Sequence, residues 1–184
     1  MPSNRARGRL LGTLGLAVLV ALVVGGIYLI KGGAASEAAS TGQAVPLQGP
    51  SVGALAPGFR ALDIDGAPVS LEDYAGRPVW LLFQATWCSI CRAELPDVEE
   101  ASDRIDVVAI YLREDRELVT DYAARMGLSI TSVPDPIGEI SLRYLASSVP
   151  THYFINADGT VADIRKGALS PDEIDEALAL LSVG

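Results

Sequence analysis

The stretch PVWLLFQA, residues 78–85, is a continuous apolar run that ends three residues before a cysteine. A run of this length without alternation suits a strand buried on both faces, inside a sheet covered on each side. The run leads directly into WCSIC, which holds both cysteines of the chain, Cys88 and Cys91. Residues Arg92–Arg104 then carry a helical pattern, with Pro96 as an internal interruption. The pair is therefore expected at a strand-to-helix junction. A helix N-terminus presents free N–H groups and partial positive charge, and both favour a thiolate at Cys88. Cys91 lies one helical turn on and can reach Cys88 to close a disulfide.

The rest of the chain fits a layered α/β domain. Asp106–Leu112 (DVVAIYL) reads as a second buried strand, and Arg116–Met126 as a helix stopped by Gly127. Ser129–Val133 is a candidate strand and Ile137–Leu145 a candidate helix. Thr151–Asn156 and Thr160–Arg165 read as a hairpin around Ala157-Asp158-Gly159. Ser170, Pro171 and Glu173 supply a capping box and a first-position proline for a final helix running to about Leu181. A turn is expected at Asp65-Gly66, followed by a short turn of structure over Leu71–Tyr74. The order of elements predicts a sheet covered by helices on both faces, in a domain covering residues 51–184.

The N-terminus is of another kind. Residues 1–9 carry Arg5, Arg7 and Arg9 and no acid, and residues 10–30 form 21 uncharged residues. About 20 apolar residues span a bilayer as a helix. The basic flank keeps the N-terminus in the cytoplasm and sends the remainder out. The expectation is a single-pass signal anchor in the cytoplasmic membrane. The alternative is a cleaved signal peptide, whose apolar region usually has about 7–15 residues. Residues 31–50, rich in Gly, Ala and Ser, read as a flexible extracytoplasmic linker. Beyond Lys31 the chain carries ten basic residues against all 23 acids. Such a surface repels nucleic acid, which removes that class of partner.

Two cysteines with no others to pair with can bond to each other, to another protein or to a metal. A disulfide closing so small a loop removes little unfolded-state entropy, so chemistry explains the pair better than stability does. Thiol–disulfide exchange needs an exposed attacking thiolate and a nearby resolving thiol. A structural zinc site needs two further Cys or His ligands, and the only histidine is His152. No cofactor is implied.

The stretch VGALAPGFRALDIDGAPVSLEDYAGRPVWLLFQATWCSICRAELPDVEE resembles the opening of the TlpA/ResA-like membrane-anchored thioredoxins, thiol–disulfide oxidoreductases with AhpC/TSA and redoxin relatives. SVPTHYFINADGTVADIRKGALSPDEIDEALALL is similar to the second half of the same family. The resemblance covers about Ser51 to Leu181. It rests on ATWCxxC, on Pro96 five residues after the second cysteine, and on the distal VPT around Pro150. It implies a thioredoxin-like fold with a central mixed sheet. It also implies a cis Pro150 facing the cysteines, a Val149 backbone that binds the partner's chain, and a Trp87 that covers the attacking sulfur. Glu94, three positions after Cys91, takes the place of an acid that helps move a proton to or from the resolving cysteine. Read by itself, Glu94 is equally a solvated helix carboxylate and Trp87 a core side chain, and His152 reads as a strand side chain, with a metal ligand or pH-sensitive group as the alternative.

Some positions depart from the family pattern. Ser89-Ile90 separates the cysteines where many relatives place a proline before the second. Leu82 stands where cytoplasmic thioredoxins have a buried acid, and Gln84 where many relatives have an aromatic. Three functions follow. The first is disulfide exchange with exported proteins through Cys88 and Cys91, reductive in direction and fed by a membrane electron donor. The family suggests cytochrome c maturation or copper-site maturation as its setting. The second is a Cu(I) metallochaperone using the same two thiolates. The third is a peroxiredoxin-like peroxidase, although neither cysteine has the proline and Thr or Ser that precede the reactive cysteine of that group.

Overall fold

Val79–Gln84 forms strand β3, and all six residues are buried. The computed structural model describes residue 22 and residues 49–182. The expected basic N-terminus at 1–9, the anchor at 10–30 and most of the linker at 31–50 lie outside the described residues. Among the described residues no helix is long and apolar enough to cross a membrane.

Two short strands, β1 (Arg60–Leu62) and β2 (Pro68–Ser70), precede β3 and pair antiparallel. Then come α1 (Ser89–Ala101), β4 (Asp106–Leu112), α2 (Arg116–Met126), β5 (Thr131–Asp135), α3 (Glu139–Arg143), β6 (Thr151–Ile155), β7 (Val161–Lys166) and α4 (Pro171–Ala179). The main sheet has the order β5-β4-β3-β6-β7. β3 runs parallel to β4 and β4 to β5, while β6 lies antiparallel to β3 and to β7. The sheet is therefore mixed, with the strand before the cysteines at its centre.

Alternate side chains of β3 feed two separate cores. Trp80 and Leu82 meet Leu95, Val98 and Ala101 of α1, Val119 and Tyr122 of α2, and Ile174 and Ala177 of α4. Val79, Leu81 and Phe83 meet Phe59, Val69, Ile140 and Tyr144 on the other side. Helices do cover both faces, but unequally. Three lie on one face, whereas the five-residue α3 shares the other with the β1–β2 hairpin. Three-residue strands carry no readable alternation, so the sequence does not predict them. It does predict the turn between them: Asp63 Oδ1 accepts the N–H groups of Asp65 (2.9 Å) and Ala67 (2.8 Å), and Gly66 takes φ +87°.

β4 and α2 fall where the sequence predicts them, and Gly127 ends α2 in the left-handed conformation at φ +66°. Ser170 and Glu173 form the expected capping box of α4. The helix expected at Arg92–Arg104 instead starts at Ser89, because the Cys88 sulfur caps it by accepting the Cys91 N–H. Sulfur is outside the usual set of N-capping acceptors, so the start carried no familiar signal. The strand expected at Ser129–Val133 sits two residues later and contains Pro134. A proline is tolerated there because β5 is an edge strand. The helix expected over Ile137–Leu145 is shorter at both ends. Leu145, at φ +48°, lies beyond its close.

Candidate active site

The strand β3 delivers the chain to Ala85, and the turn that follows places Cys88 at the N-terminus of α1. The Cys88 N–H donates to the Ala85 carbonyl (3.1 Å), and the Arg92 N–H to the Cys88 carbonyl (3.1 Å). Cys88 and Cys91 are joined by a disulfide, with their Cα atoms 5.3 Å apart. The Cys91 N–H also points at the Cys88 sulfur, 3.2 Å away. The same N–H is placed to stabilise a thiolate there once the disulfide opens. Cys91 is buried and Cys88 nearly so, at 1% and 5% exposure. Attack from outside is thus directed to Cys88, at the helix end.

The turn before Cys88 is held by a residue that sequence reasoning passed over. Glu114, buried in the loop after β4, accepts the Thr86 N–H (2.9 Å to Oε2) and the Thr86 hydroxyl (2.8 Å to Oε1). Arg92 adds a bond to the Thr86 carbonyl at 3.2 Å. Nothing in the spacing of Glu114, 26 residues after Cys88, points to this role.

Val149–Pro150 is a cis peptide bond, and Val149 packs against Ala85, Cys88 and Cys91. The structure thereby brings together the cysteine pair and the distal VPT segment. Side-chain and backbone bonds hold this loop. The Thr151 hydroxyl donates to the Ser148 carbonyl (2.8 Å), and the Gly167 N–H to the Pro150 carbonyl (3.0 Å). Trp87 is not a core side chain: it is 71% exposed and lines a groove with Leu112, Arg113, Leu142 and Leu145. Ile90, between the cysteines, is also exposed.

Glu94 is not a solvated carboxylate. It belongs to the inward stripe of α1 formed by Cys91, Glu94, Leu95, Val98 and Ala101, and it is 3% exposed. Its Oε1 accepts the Leu169 N–H at 3.0 Å, and its Oε2 has no hydrogen-bond partner among the described residues. Burial pushes its pKa up to about 7, against the pull of the Leu169 N–H, and the nearby acids Asp97 and Glu173 push the same way. The acidic group expected near Cys91 is thus present, within the core. Its inward position was legible in the helical spacing 91, 94, 95, 98 of that stripe.

His152 lies on β6, two residues past Pro150, opposite Leu82 in the β3–β6 register. Its ring is fully buried beside Trp80, with centroids 5.6 Å apart. Nε2 is 3.0 Å from the Gly167 carbonyl and 3.5 Å from Glu94 Oε1. A carbonyl only accepts, so Nε2 carries the proton. Burial pushes the pKa of His152 down to about 4, so the ring is neutral near pH 7 and its contact with Glu94 is no ion pair at that pH. Gln84 is buried too, and neither its amide oxygen nor its nitrogen has a hydrogen-bond partner among the described residues.

A mixed sheet that ends its central strand in a C-x-x-C helix, faced by a cis-proline loop, defines a thioredoxin-fold thiol–disulfide oxidoreductase. The chain belongs to the AhpC/TSA family, whose profile matches residues 52–164, and to its ResA-like thioredoxins. It is 30% identical over 133 residues to the thiol-disulfide oxidoreductase ResA of Geobacillus kaustophilus, covering 70% of this chain and 76% of that one. The structure of a thiol:disulfide interchange protein DsbE from Chlorobium tepidum superposes with a TM-score of 0.67 at 27% identity, covering 72% of this chain and 99% of that one. A secreted Mycobacterium tuberculosis disulfide oxidoreductase homologous to E. coli DsbE superposes with a TM-score of 0.61 at 30% identity, covering 67% and 96%.

Proposed function

We propose that this oxidoreductase works outside the cytoplasmic membrane, anchored through residues 10–30, and reduces disulfides in exported proteins. The observation that carries the reading is the Cys88–Cys91 disulfide at the α1 N-terminus, packed against Val149. The Cys88 thiolate attacks one sulfur of the partner's disulfide. That bond breaks, a mixed disulfide forms, and the partner's other sulfur leaves as a thiolate. Cys91, having given up its proton, attacks the Cys88 sulfur. The mixed disulfide breaks, the Cys88–Cys91 bond forms, and the partner's second sulfur leaves. The partner gains two electrons, and its two thiolates take up two protons. A thiol donor in the membrane then returns Cys88 and Cys91 to the dithiol.

Val149 and Pro150 bind the partner's chain beside the mixed disulfide, and exposed Trp87 extends that surface. Glu94 is the group within the core that takes the Cys91 proton. Cytochrome c maturation or copper-site maturation is the setting in which such a reductase acts. A Cu(I) chaperone would use the same sulfurs, but the nearest imidazole, His152, is engaged by the Gly167 carbonyl.

The test is the reduction potential of Cys88–Cys91 in the full chain, equilibrated against defined thiol buffers. A value near about −270 mV, as in thioredoxin, is expected for a reductase; one near about −120 mV marks an oxidant and reverses the direction. Absence of any two-electron couple overturns exchange and favours metal binding. In Cys91→Ser the mixed disulfide has no resolving thiol, so partner proteins should accumulate on Cys88 and be released by dithiothreitol. Cys88→Ser should capture none.

A further inference from the structure

Glu94 and His152 come from different elements, and one short segment of backbone holds both. Gly167 accepts from His152 Nε2 at 3.0 Å, and two residues later the Leu169 N–H donates to Glu94 Oε1 at 3.0 Å. The Gly167 N–H meanwhile bonds the Pro150 carbonyl at 3.0 Å. The imidazole is therefore connected, through Gly167, to the loop that faces the cysteines as well as to the acid below them. Gly167 takes φ +90°, a conformation that glycine alone adopts readily, so this link depends on that residue type.

We propose that His152 is a positioning residue for the exchange reaction. Its neutral Nε2–H holds Gly167 and faces Glu94 Oε1, so that Oε2 carries the exchangeable proton and Glu94 can give and take it as the cysteines change redox state.

The inference rests on the reading of Cys88–Cys91 as an exchanging couple. Oε1 is occupied by the Leu169 N–H and lies 3.5 Å from the imidazole N–H, whereas Oε2 has no hydrogen-bond partner among the described residues. A buried carboxylate without donors stays protonated and cannot accept a proton from Cys91. The Leu169 N–H donated to Oε1 favours the ionised form, and the His152 Nε2–H, donated to the Gly167 carbonyl, turns the positive end of its dipole to within 3.5 Å of the same oxygen. The charged groups around the pair come from three elements. Asp97 lies on α1 with Glu94, and Glu173 opens α4. Arg165 on β7 faces His152 and is held by Asp163 and by Glu176 of α4. Both acids facing Glu94 oppose its ionisation, which leaves the Leu169 N–H and the nearby imidazole dipole to support it. Cys91, on the same face of α1, completes the surroundings. In the position opposite His152, Leu82 offers no polar atom, so no acid from β3 shares the task.

His152 is the only histidine of the chain, so its ring nitrogens give unique signals in nitrogen-15 magnetic resonance. The experiment records them in the full chain, as disulfide and as dithiol, from pH 5 to 9. The expected result is a neutral ring with the proton on Nε2 throughout, whose shifts follow the ionisation of Glu94. The midpoint should differ between the two redox forms and vanish in Glu94→Gln. A proton on Nδ1, a ring that charges near pH 6.5, or identical curves in both redox forms overturns the proposal. A second measurement follows the pH dependence of the thiol–disulfide equilibrium in variants. His152→Phe should move the Glu94 inflection at least tenfold in proton concentration toward alkaline pH. His152→Gln, whose amide N–H can reach Gly167, should restore it. An unmoved inflection in His152→Phe also overturns the role. A chain that shows no dithiol–disulfide couple would instead refute the exchange reading itself.

Discussion

Glu114 shows how much of the active site depends on a side chain far from the cysteines in sequence. It accepts both the N–H and the hydroxyl of Thr86, the second residue before Cys88. In Glu114→Ala those donors lose their partner in a partly buried turn. Leaving such groups unsatisfied costs roughly 1–3 kcal/mol. The midpoint of urea unfolding should fall accordingly with an unchanged slope, and exchange with a small dithiol should slow several-fold, because the turn no longer fixes Cys88 on the helix axis. Wild-type stability together with wild-type exchange would mean that Ala85 and Arg92 hold the turn alone. Cys88, Cys91 and Pro150 were readable because each sits in a short motif with a mechanism. Glu114 was not, since its bond depends on how the loop after β4 approaches the β3–α1 turn. From sequence His152 reads first as a strand side chain, with a metal ligand or pH-sensitive group as the alternative, for a similar reason. Its meaning arises only when α1 lays Glu94 against it.

The helix α1 does two jobs with one sequence. Its N-terminus presents Cys88, and its inward stripe carries Leu95, Val98 and Ala101 into the core beside Trp80 and Phe154. Leu95 is 1% exposed at the middle of that stripe. Truncating a buried leucine costs about 2–5 kcal/mol, from lost transfer free energy and the cavity left behind. Leu95→Ala should therefore lower unfolding stability within that range, measured by urea denaturation with the disulfide intact. Leu95 directly follows Glu94, so the variant should also shift the pH dependence of the couple. A loss well under 1 kcal/mol would mean that α1 is not anchored by this stripe. The elements legible from sequence carry conventional signals: β4 a continuous apolar run, α2 a closing Gly127 in the left-handed conformation, and α4 the Ser170 and Glu173 capping box. The displaced ones, α1 and β5, begin or continue on unconventional residues, a sulfur cap and an edge-strand proline. The β1–β2 strands are too short for periodicity to report, and only tertiary contact through Phe59 and Val69 brings them into the fold.

Burying an acid and a histidine together gives the folded chain a pH dependence in which two trends oppose each other. Glu94 has its folded pKa raised from 4.5 to about 7, so its contribution is fully present below pH 4.5 and is lost as pH rises through 7. His152 has its folded pKa lowered from 6.5 to about 4, so its contribution is present above pH 6.5 and is lost as pH falls through 4. Between pH 4.5 and 6.5 the folded state holds one proton more on Glu94 and one fewer on His152 than the unfolded chain, and the two slopes cancel. Removing one group exposes the other. In Glu94→Gln the cost of ionising a buried acid disappears. Its stability relative to wild type should therefore rise with pH from 4.5 to 7, by about 3 kcal/mol at roughly 1.4 kcal/mol for each pH unit. In His152→Phe the trend reverses: stability relative to wild type should fall as pH rises from 4 to 6.5. Urea unfolding at half-unit steps of pH, with the disulfide intact, measures both. Curves that run parallel to wild type would show that neither group changes its proton affinity on folding. Crossing curves would tie the proton equilibrium of the active site to the stability of the domain as a whole.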